Sequence, residues 1–366
     1  MPVDRIAEIW SRVERSLFPL LKECLPEITE KHRQVALVLE VVRIEEHLRF
    51  SHLRWRGRKP SDRKALARAY VAKACLRMPF TGALVERLKV DKTLRQICGW
   101  ERRNEVPSES TFSRAFAEFA KTGLTDAVHE TLVKVHLGDE VVWHVSRDST
   151  AIEAREKPAK KPPKAEKPRY RRGRPCKGEE RPKPGPTRIE RQYEQSATEA
   201  IGELPKACDV GTKIDSKGSK RHWVGYKFHV DVGDGGIPLS AVTTSASVHD
   251  SQVAIPLAKM TAERAGSWYD LMDSAYDTKL IQKMSRQLGH VPIIKPHEGR
   301  RHRKEYLEPD RERRYDNRTA SERFNARLKD NHGGRDVRVR GHSKVHAHLM
   351  FGLLVIFAES LLGLVT

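Results

Sequence analysis

Two hydrophobic rhythms divide the chain. From residue 1 to about residue 137, apolar positions recur three and four apart, the spacing that lines one face of a helix. The first such run holds Ile6, Ile9, Trp10, Val13, Leu17, Leu20 and Leu21, with Pro19 placed to kink it and Pro26 to end it. A second holds Val35, Val38, Val42 and Ile44, and a third opens at Ser61-Asp62 and carries Leu66, Ala69, Tyr70 and Leu76. Two short helices follow at about 82–89 and 91–98, the second stopped by Gly99. Another starts at the cap signal Pro107-Ser108-Glu109-Ser110 and ends before Gly123, and one more spans about 125–137.

Beyond Gly138 the period shortens. Val141, Val142, His144 and Val145 lead to Asp148 as a buried strand ending there. Residues 222–232 and 237–245 alternate in strand fashion around Gly233-Asp234-Gly235-Gly236, a hairpin signal. A helix after Asp250, a strand at 269–273, a helix at 278–288 and a strand at 291–295 come next. Two helices follow, one carrying Glu322 and one at about 343–362. Neighbouring strands followed by alternating helices and strands predict an α/β architecture, a mixed sheet flanked by helices, behind an all-helical region. The expected domains are therefore 1–137 and 138–366.

Charge adds a partner class. The 366 residues hold 69 Lys+Arg against 49 Asp+Glu, a formal net charge of +20. Each phosphate neutralised by such a surface releases a condensed counterion, which favours nucleic acid. Residues 155–191 contain 15 Lys+Arg, 5 Glu and 8 Pro, so half the net charge lies there. A segment so poor in large apolar residues cannot offset the entropy of ordering itself, and it predicts a flexible basic insertion at about 155–220. The apolar run 349–358 is too short to span a bilayer and reads as a buried helix. No basic-then-apolar leader opens the chain. The five cysteines, Cys24, Cys75, Cys98, Cys176 and Cys208, form no paired motif, which fits a reducing cytoplasm.

The candidate chemistry begins at YDNRTASERFNARLK. Tyr315, Arg318, Glu322 and Lys329 stand at offsets 0, 3, 7 and 14, one face of a continuous helix. Such a face alone reads as solvated ion pairs. The spacing, however, resembles the Tyr-Arg-Glu-Lys signature of insertion-sequence DDE transposases. SRDST around Asp148 and LMDSAYD around Asp273 resemble that family's two strand-borne aspartates. WVGYKFHVDV and SASVHDSQVAIP resemble its Gly-Tyr-Lys strand and His-Asp helix start.

The resemblance implies a ribonuclease-H-like catalytic domain and a bacterial, DNA-bound, cytoplasmic enzyme. It would cut at terminal inverted repeats and join the ends to target DNA, as a homodimer in the synaptic complex. Asp148, Asp273 and Glu322 would be its catalytic acids and metal ligands. Two Mg2+ ions, with Mn2+ able to substitute, suit in-line phosphoryl transfer, because one activates the nucleophile and the other neutralises the leaving oxygen. Tyr315, Arg318 and Lys329 would contact DNA. Asp250 reads as a helix cap, His249 as a packed or surface histidine, and Asp270 and Asp277 as less suited than Asp273.

DNA contacts are also expected outside the site. VPSESTFSRAFAEF follows short helices as a recognition helix does, giving a helix-turn-helix-like region near 80–122. Ser110, Thr111, Ser113 and Arg114 would meet bases or phosphates. Arg172-Gly173-Arg174-Pro175 resembles an AT-hook core, whose arginines enter a narrow minor groove. Two other functions fit the same features: a catalytically silent DNA-binding regulator, and a ribonuclease-H-like nuclease without strand transfer.

Overall fold

The computed structural model describes residues 11–17, 19, 28–48, 61–160, 185–214, 218–295 and 307–363. The first apolar run (apart from 11–17 and 19) and the Arg172–Arg174 motif lie outside them. Among the described residues a π-helical turn at Val13–Leu17 is followed by six α-helices before the first strand: α1 (Glu30–Val42), α2 (Arg63–Cys75), α3 (Thr81–Val90), α4 (Lys92–Cys98), α5 (Glu109–Thr122) and α6 (Leu124–Leu137). Their ends carry the expected signals. Asp62 and Asp91 accept backbone N–H bonds at the starts of α2 and α4, and Gly99 and Gly123 turn left-handed behind α4 and α5.

A six-stranded sheet follows: β1 (Val141–Glu153), β2 (Asp209–Ile214), β3 (Lys220–Val232), β4 (Pro238–Ser245), β5 (Gly266–Met272) and β6 (Val291–Ile294). Its order is β2-β3-β1-β5-β6, with β4 also paired to β3. β3 is antiparallel to both β1 and β4, whereas β5 runs parallel to β1 and β6 parallel to β5. This mixed sheet flanked by helices agrees with a ribonuclease-H-like fold. Between the strands lie α7 (Arg188–Glu194), α8 (Ala197–Gly202), α9 (Ser251–Ala262) and α10 (Lys279–Gln287), and after them α11 (Pro309–Tyr315), α12 (Thr319–Asn331) and α13 (His342–Gly363).

Three expectations need correction. The basic insertion does not reach residue 220, because 188–214 form α7, α8 and β2. Thr187 with Glu190, and Ser196 with Glu199, make reciprocal capping boxes that start the two helices. Ile189, Tyr193 and Ile201 then pack on the core, and Lys259 Nζ binds the carbonyls of Gln192, Tyr193 and Gln195. Next, Asp148 does not end β1, which continues to Glu153 through antiparallel pairing with β3. Finally, Tyr315 to Lys329 is not one helix: a 3-10 turn at Asp316–Arg318 separates α11 from α12.

The long helix α13 is buried along most of its length and belongs to two cores. Phe351, Leu354, Phe357 and Ala358 join the cluster built by α1 to α6. Val345, Leu349, Met350, Leu353 and Ile356 join a second cluster with Tyr226, Phe228 and Val230 of β3 and Phe324 and Leu328 of α12. Among the described residues it is the helix long and apolar enough to cross a membrane, yet 78% of its most apolar stretch is buried inside the protein.

Candidate active site

Strand register places the two aspartates. Every β1–β5 pair, from Val141↔Gly266 to Ser146↔Leu271, has the same separation in sequence. The pairing stops there; Asp148 lies two residues further along β1, and Asp273 is the first residue after β5, where its side chain caps the 3-10 turn Ser274–Tyr276. Side chains alternate across a sheet, so Ser146 and Asp148 share one face of β1 and Arg147 takes the other. Helix α12 covers the first face. Ser146 Oγ donates to the Arg318 carbonyl and contacts Ser321 Oγ, both at 2.7 Å, which pins the start of α12 over β1.

Both carboxylates are disfavoured as anions. Burial pushes Asp148 up to about 6; the neighbouring Asp273 and Asp250 add to this, against the pull of the Ser149 N–H and Arg318. Burial likewise raises Asp273, with Asp250 again adding, although the Ala275 N–H, Arg318 and His249 oppose it. Arg318 is the cation both acids share. It also lies over the Tyr315 ring at 5.7 Å and forms an ion pair with the half-exposed Glu322. A second cation–ring contact, Arg314 over Tyr269 at 4.3 Å, lies on the same face.

The structure therefore gathers Asp148, Asp273, Tyr315, Arg318 and Glu322 into one neighbourhood. Lys329 stands apart. Seven residues further along α12, its charged neighbours are Arg335, Lys213, Asp330 and Glu153, and burial among them lowers its pKa. Asp250 does not cap α9 with its side chain. Its Oδ1 takes the Lys227 ammonium at 2.9 Å, and although burial raises its pKa, His229 and Lys227 hold it below the usual range. Lys227 and Asp250 come from the Gly-Tyr-Lys and His-Asp segments, so these two motifs meet in space. His249 Nδ1 pairs with Ser251 Oγ at 2.8 Å. Asp270 faces away from the site.

Two residues of the site carry no prior expectation. Asn325 Nδ2 donates to Asp148 Oδ2 at 3.0 Å, and its own Oδ1 is buried with no partner. The signal was its position, one turn after Ser321 on the buried face of α12. Tyr276 is fully buried, and its hydroxyl, also without a partner, lies near enough to Asp250, Asp148 and Asp273 for each to raise its pKa further beyond the effect of burial.

A divalent cation can be tested against this donor set. Among the described residues no three His, Cys, Asp or Glu side chains are gathered closely enough to hold a metal between them. Asp148 and Asp273 fit nonetheless. They are hard oxygen donors, short of positive charge, beside two orphaned polar atoms suited to a metal-bound water. Glu322 fits only after giving up Arg318.

The helical-region candidates sit on α5. Its buried face is Phe112, Ala115, Phe116 and Phe119, while Ser110, Ser113 and Arg114 are exposed and Thr111 is half-buried. Arg114 folds back on its own helix, donating to the Ser110 carbonyl at 3.2 Å and to Thr111 Oγ1 at 3.3 Å.

Residues 187–358 match the family model of the transposase DDE domain, and residues 21–118 match a transposase domain family (DUF772). Asp273 and Glu322 fall inside the first match, the α5 candidates inside the second, and Asp148 between the two. Comparison with curated proteins and with solved structures gave no match. The two matched domains, in this order, support a transposase of the insertion-sequence type acting on DNA.

Proposed function

We propose that the protein cuts DNA at the ends of an insertion element and joins those ends to target DNA, using Asp148, Asp273 and Glu322. The observation that carries this reading is the pair of raised aspartates, Asp148 in β1 and Asp273 just past the end of the neighbouring β5, beside the α12 helix. Asp148 and Asp273 would hold Mg2+, or Mn2+ in its place, with Glu322 completing the set. Two such ions when bound would supply an activated nucleophile and neutralise charge on the leaving oxygen.

The chain's own groups do the rest. Asn325 fixes the Asp148 carboxylate, and the Lys227–Asp250 pair keeps a third carboxylate from crowding it. Arg318, held over Tyr315, balances the acids in the free protein. When DNA enters, its phosphate competes for Arg318 and releases Glu322 toward the other two. Tyr315 and Arg318 bind the strand near the acids, Lys329 meets it further along α12, Ser110 and Arg114 contact the terminal repeats, and Arg172 and Arg174 grip A·T-rich flanks. Two copies, each holding one end, form the synaptic complex.

The experiment is end cleavage and strand transfer on a plasmid carrying the element's own termini. Asp148→Ala, Asp273→Ala and Glu322→Ala should each abolish both steps while DNA binding persists. Full strand transfer by Glu322→Gln would remove the mechanism. Cleavage that never proceeds to joining would identify a nuclease instead, and binding without any cleavage a regulator.

A further inference from the structure

Away from the acids, a cavity of about 300 Å³ opens between the helical region and α13. That volume is at the small end of ligand sites, roughly 300–1,000 Å³. One wall is aromatic. Tyr70, Phe116 and Phe351 form a mutual cluster with ring centroids 5.0 to 6.0 Å apart. The Tyr70 hydroxyl donates to the Phe112 carbonyl at 2.9 Å, so what it offers the cavity is ring surface.

Ala74, Met78 and Val339 extend the apolar lining, and four cations stand beside it. Lys73, Arg77, Arg340 and Lys344 border the space, and no carboxylate does. Lys73 is only 8% exposed. Burial lowers its pKa to about 8, with only a distant Asp336 opposing. Arg77 is held in the left-handed region at φ 55, an uncommon conformation for a residue with a side chain. The two histidines of the lining are already engaged. His348 Nε2 meets the Gly333 carbonyl at 2.9 Å, and His332 Nδ1 meets the Ala74 carbonyl at 3.2 Å. His332 ties the end of α12 to α2 and His348 ties it to α13, so the four cations are the charged groups left bordering the cavity.

An aromatic wall with a cationic mouth matches a ligand that has a flat apolar body and an anionic group. We propose that this cavity binds a nucleoside phosphate, its base against Tyr70, Phe116 and Phe351 and its phosphate on Lys73, Arg77, Arg340 and Lys344. Stacking of a base on aromatic side chains contributes about 1–3 kcal/mol by substitution, independent of sequence. Given the DNA-cutting reading above, on which this choice of ligand rests, one source is an extrahelical nucleotide of bound DNA. A free nucleotide is the other.

The test uses the full chain and three probes under ultraviolet light: 4-thiothymidine 5′-monophosphate, a duplex with one extrahelical 4-thiothymidine, and the same duplex with that base paired. Cross-links mapped to peptides holding Tyr70, Phe116 or Phe351 are the expected result. Stronger labelling by the extrahelical duplex than by the paired one assigns the DNA source, and saturable labelling by the mononucleotide assigns the free one. Ala74→Phe fills the cavity without touching a charge, and Arg340→Ala with Lys344→Ala removes surface cations. Each should reduce labelling at least tenfold with unchanged circular dichroism. Labelling at other peptides only, or labelling unaffected by Ala74→Phe, overturns the proposal. Because no strand is cut, the result is separate from the cleavage assay: labelling lost with cleavage intact sinks this inference alone, and the converse sinks the transposase reading alone.

Discussion

Arg147 and Asp148 are adjacent in β1 and live in opposite electrostatic worlds. Arg147 points under the sheet and is 1% exposed, gripping Asp231 through two bonds of 2.8 and 2.7 Å. Thr261 adds a 2.6 Å bond to the same carboxylate. The nearby Asp270 pairs with His290 at 3.3 Å, and although burial opposes its charge, His290 and Arg147 hold it below the usual range. On the other face, Asp148 and Asp273 are raised and share Arg318 with Glu322 and Tyr315. The lower face pairs its carboxylates with Arg147, Thr261 and His290, although burial still raises Asp231; the upper face leaves its two raised carboxylates without an ion pair of their own. Buried charges without full compensation are where function concentrates.

The sharpest way to break that contrast is to remove either acid of the upper face. Asp148→Asn and Asp273→Asn should lower cleavage at least ~1,000-fold, ~4 kcal/mol of barrier, measured on element-end DNA. Stability should not fall. A raised carboxylate is destabilising when ionised, so at pH 7 Asp148→Asn should stabilise by ~1–3 kcal/mol in urea denaturation. A large loss of stability would show the upper acids to be structural.

Beneath the sheet the signs reverse. Arg147→Met should cost ~3–5 kcal/mol, because it leaves Asp231 and Asp270 buried without their cation, and the denaturation midpoint reads it directly. Asn325→Ala lies between these cases. It should reduce cleavage ~10–100-fold, as removal of a group orienting a ligand does, with little change in DNA affinity. Equal loss of binding and cleavage would place Asn325 on DNA instead. The smallest effect concerns pH. Asp270 has a lowered folded pKa, so its contribution is present above the unfolded value near 3.9 and lost as pH falls through the folded one. Asp270→Asn should flatten that acid limb of the stability curve, and an unchanged slope would detach Asp270 from the network.

How much of this was legible in the chain follows from what each signal depends on. Asp148 and Asp273 could be placed because each follows an apolar strand segment, and period-two alternation is a local property. The hairpin around Gly235 was legible for the same reason, since φ 71 there asks for glycine. What escaped depends on partners distant in sequence. Asn325 is one polar residue among many until α12 is laid over β1, and Tyr276 reads as core until three acids surround its hydroxyl. The helices at 188–202 were hidden by basic, proline-rich composition, although their two capping boxes were present in the sequence. The single helix inferred from Tyr315 to Lys329 failed because regular offsets do not report the turn at Asp316–Arg318. Lys329 is set apart by distance instead, two turns beyond Glu322 on α12.

The double membership of α13 has a consequence for how the chain is made. Residues 30–137 emerge early from the ribosome, yet the apolar surface they share with Phe351, Leu354 and Phe357 has no cover until residues 342–363 exist. Contacts this remote in sequence close slowly, because the intervening loop must be ordered first. A nascent chain therefore carries a half-roofed helical bundle until residues 342–363 have been made, the situation in which chaperone capture competes with folding. Neither core is complete until α13 lies between the two, so the halves of the molecule depend on one helix for their closure.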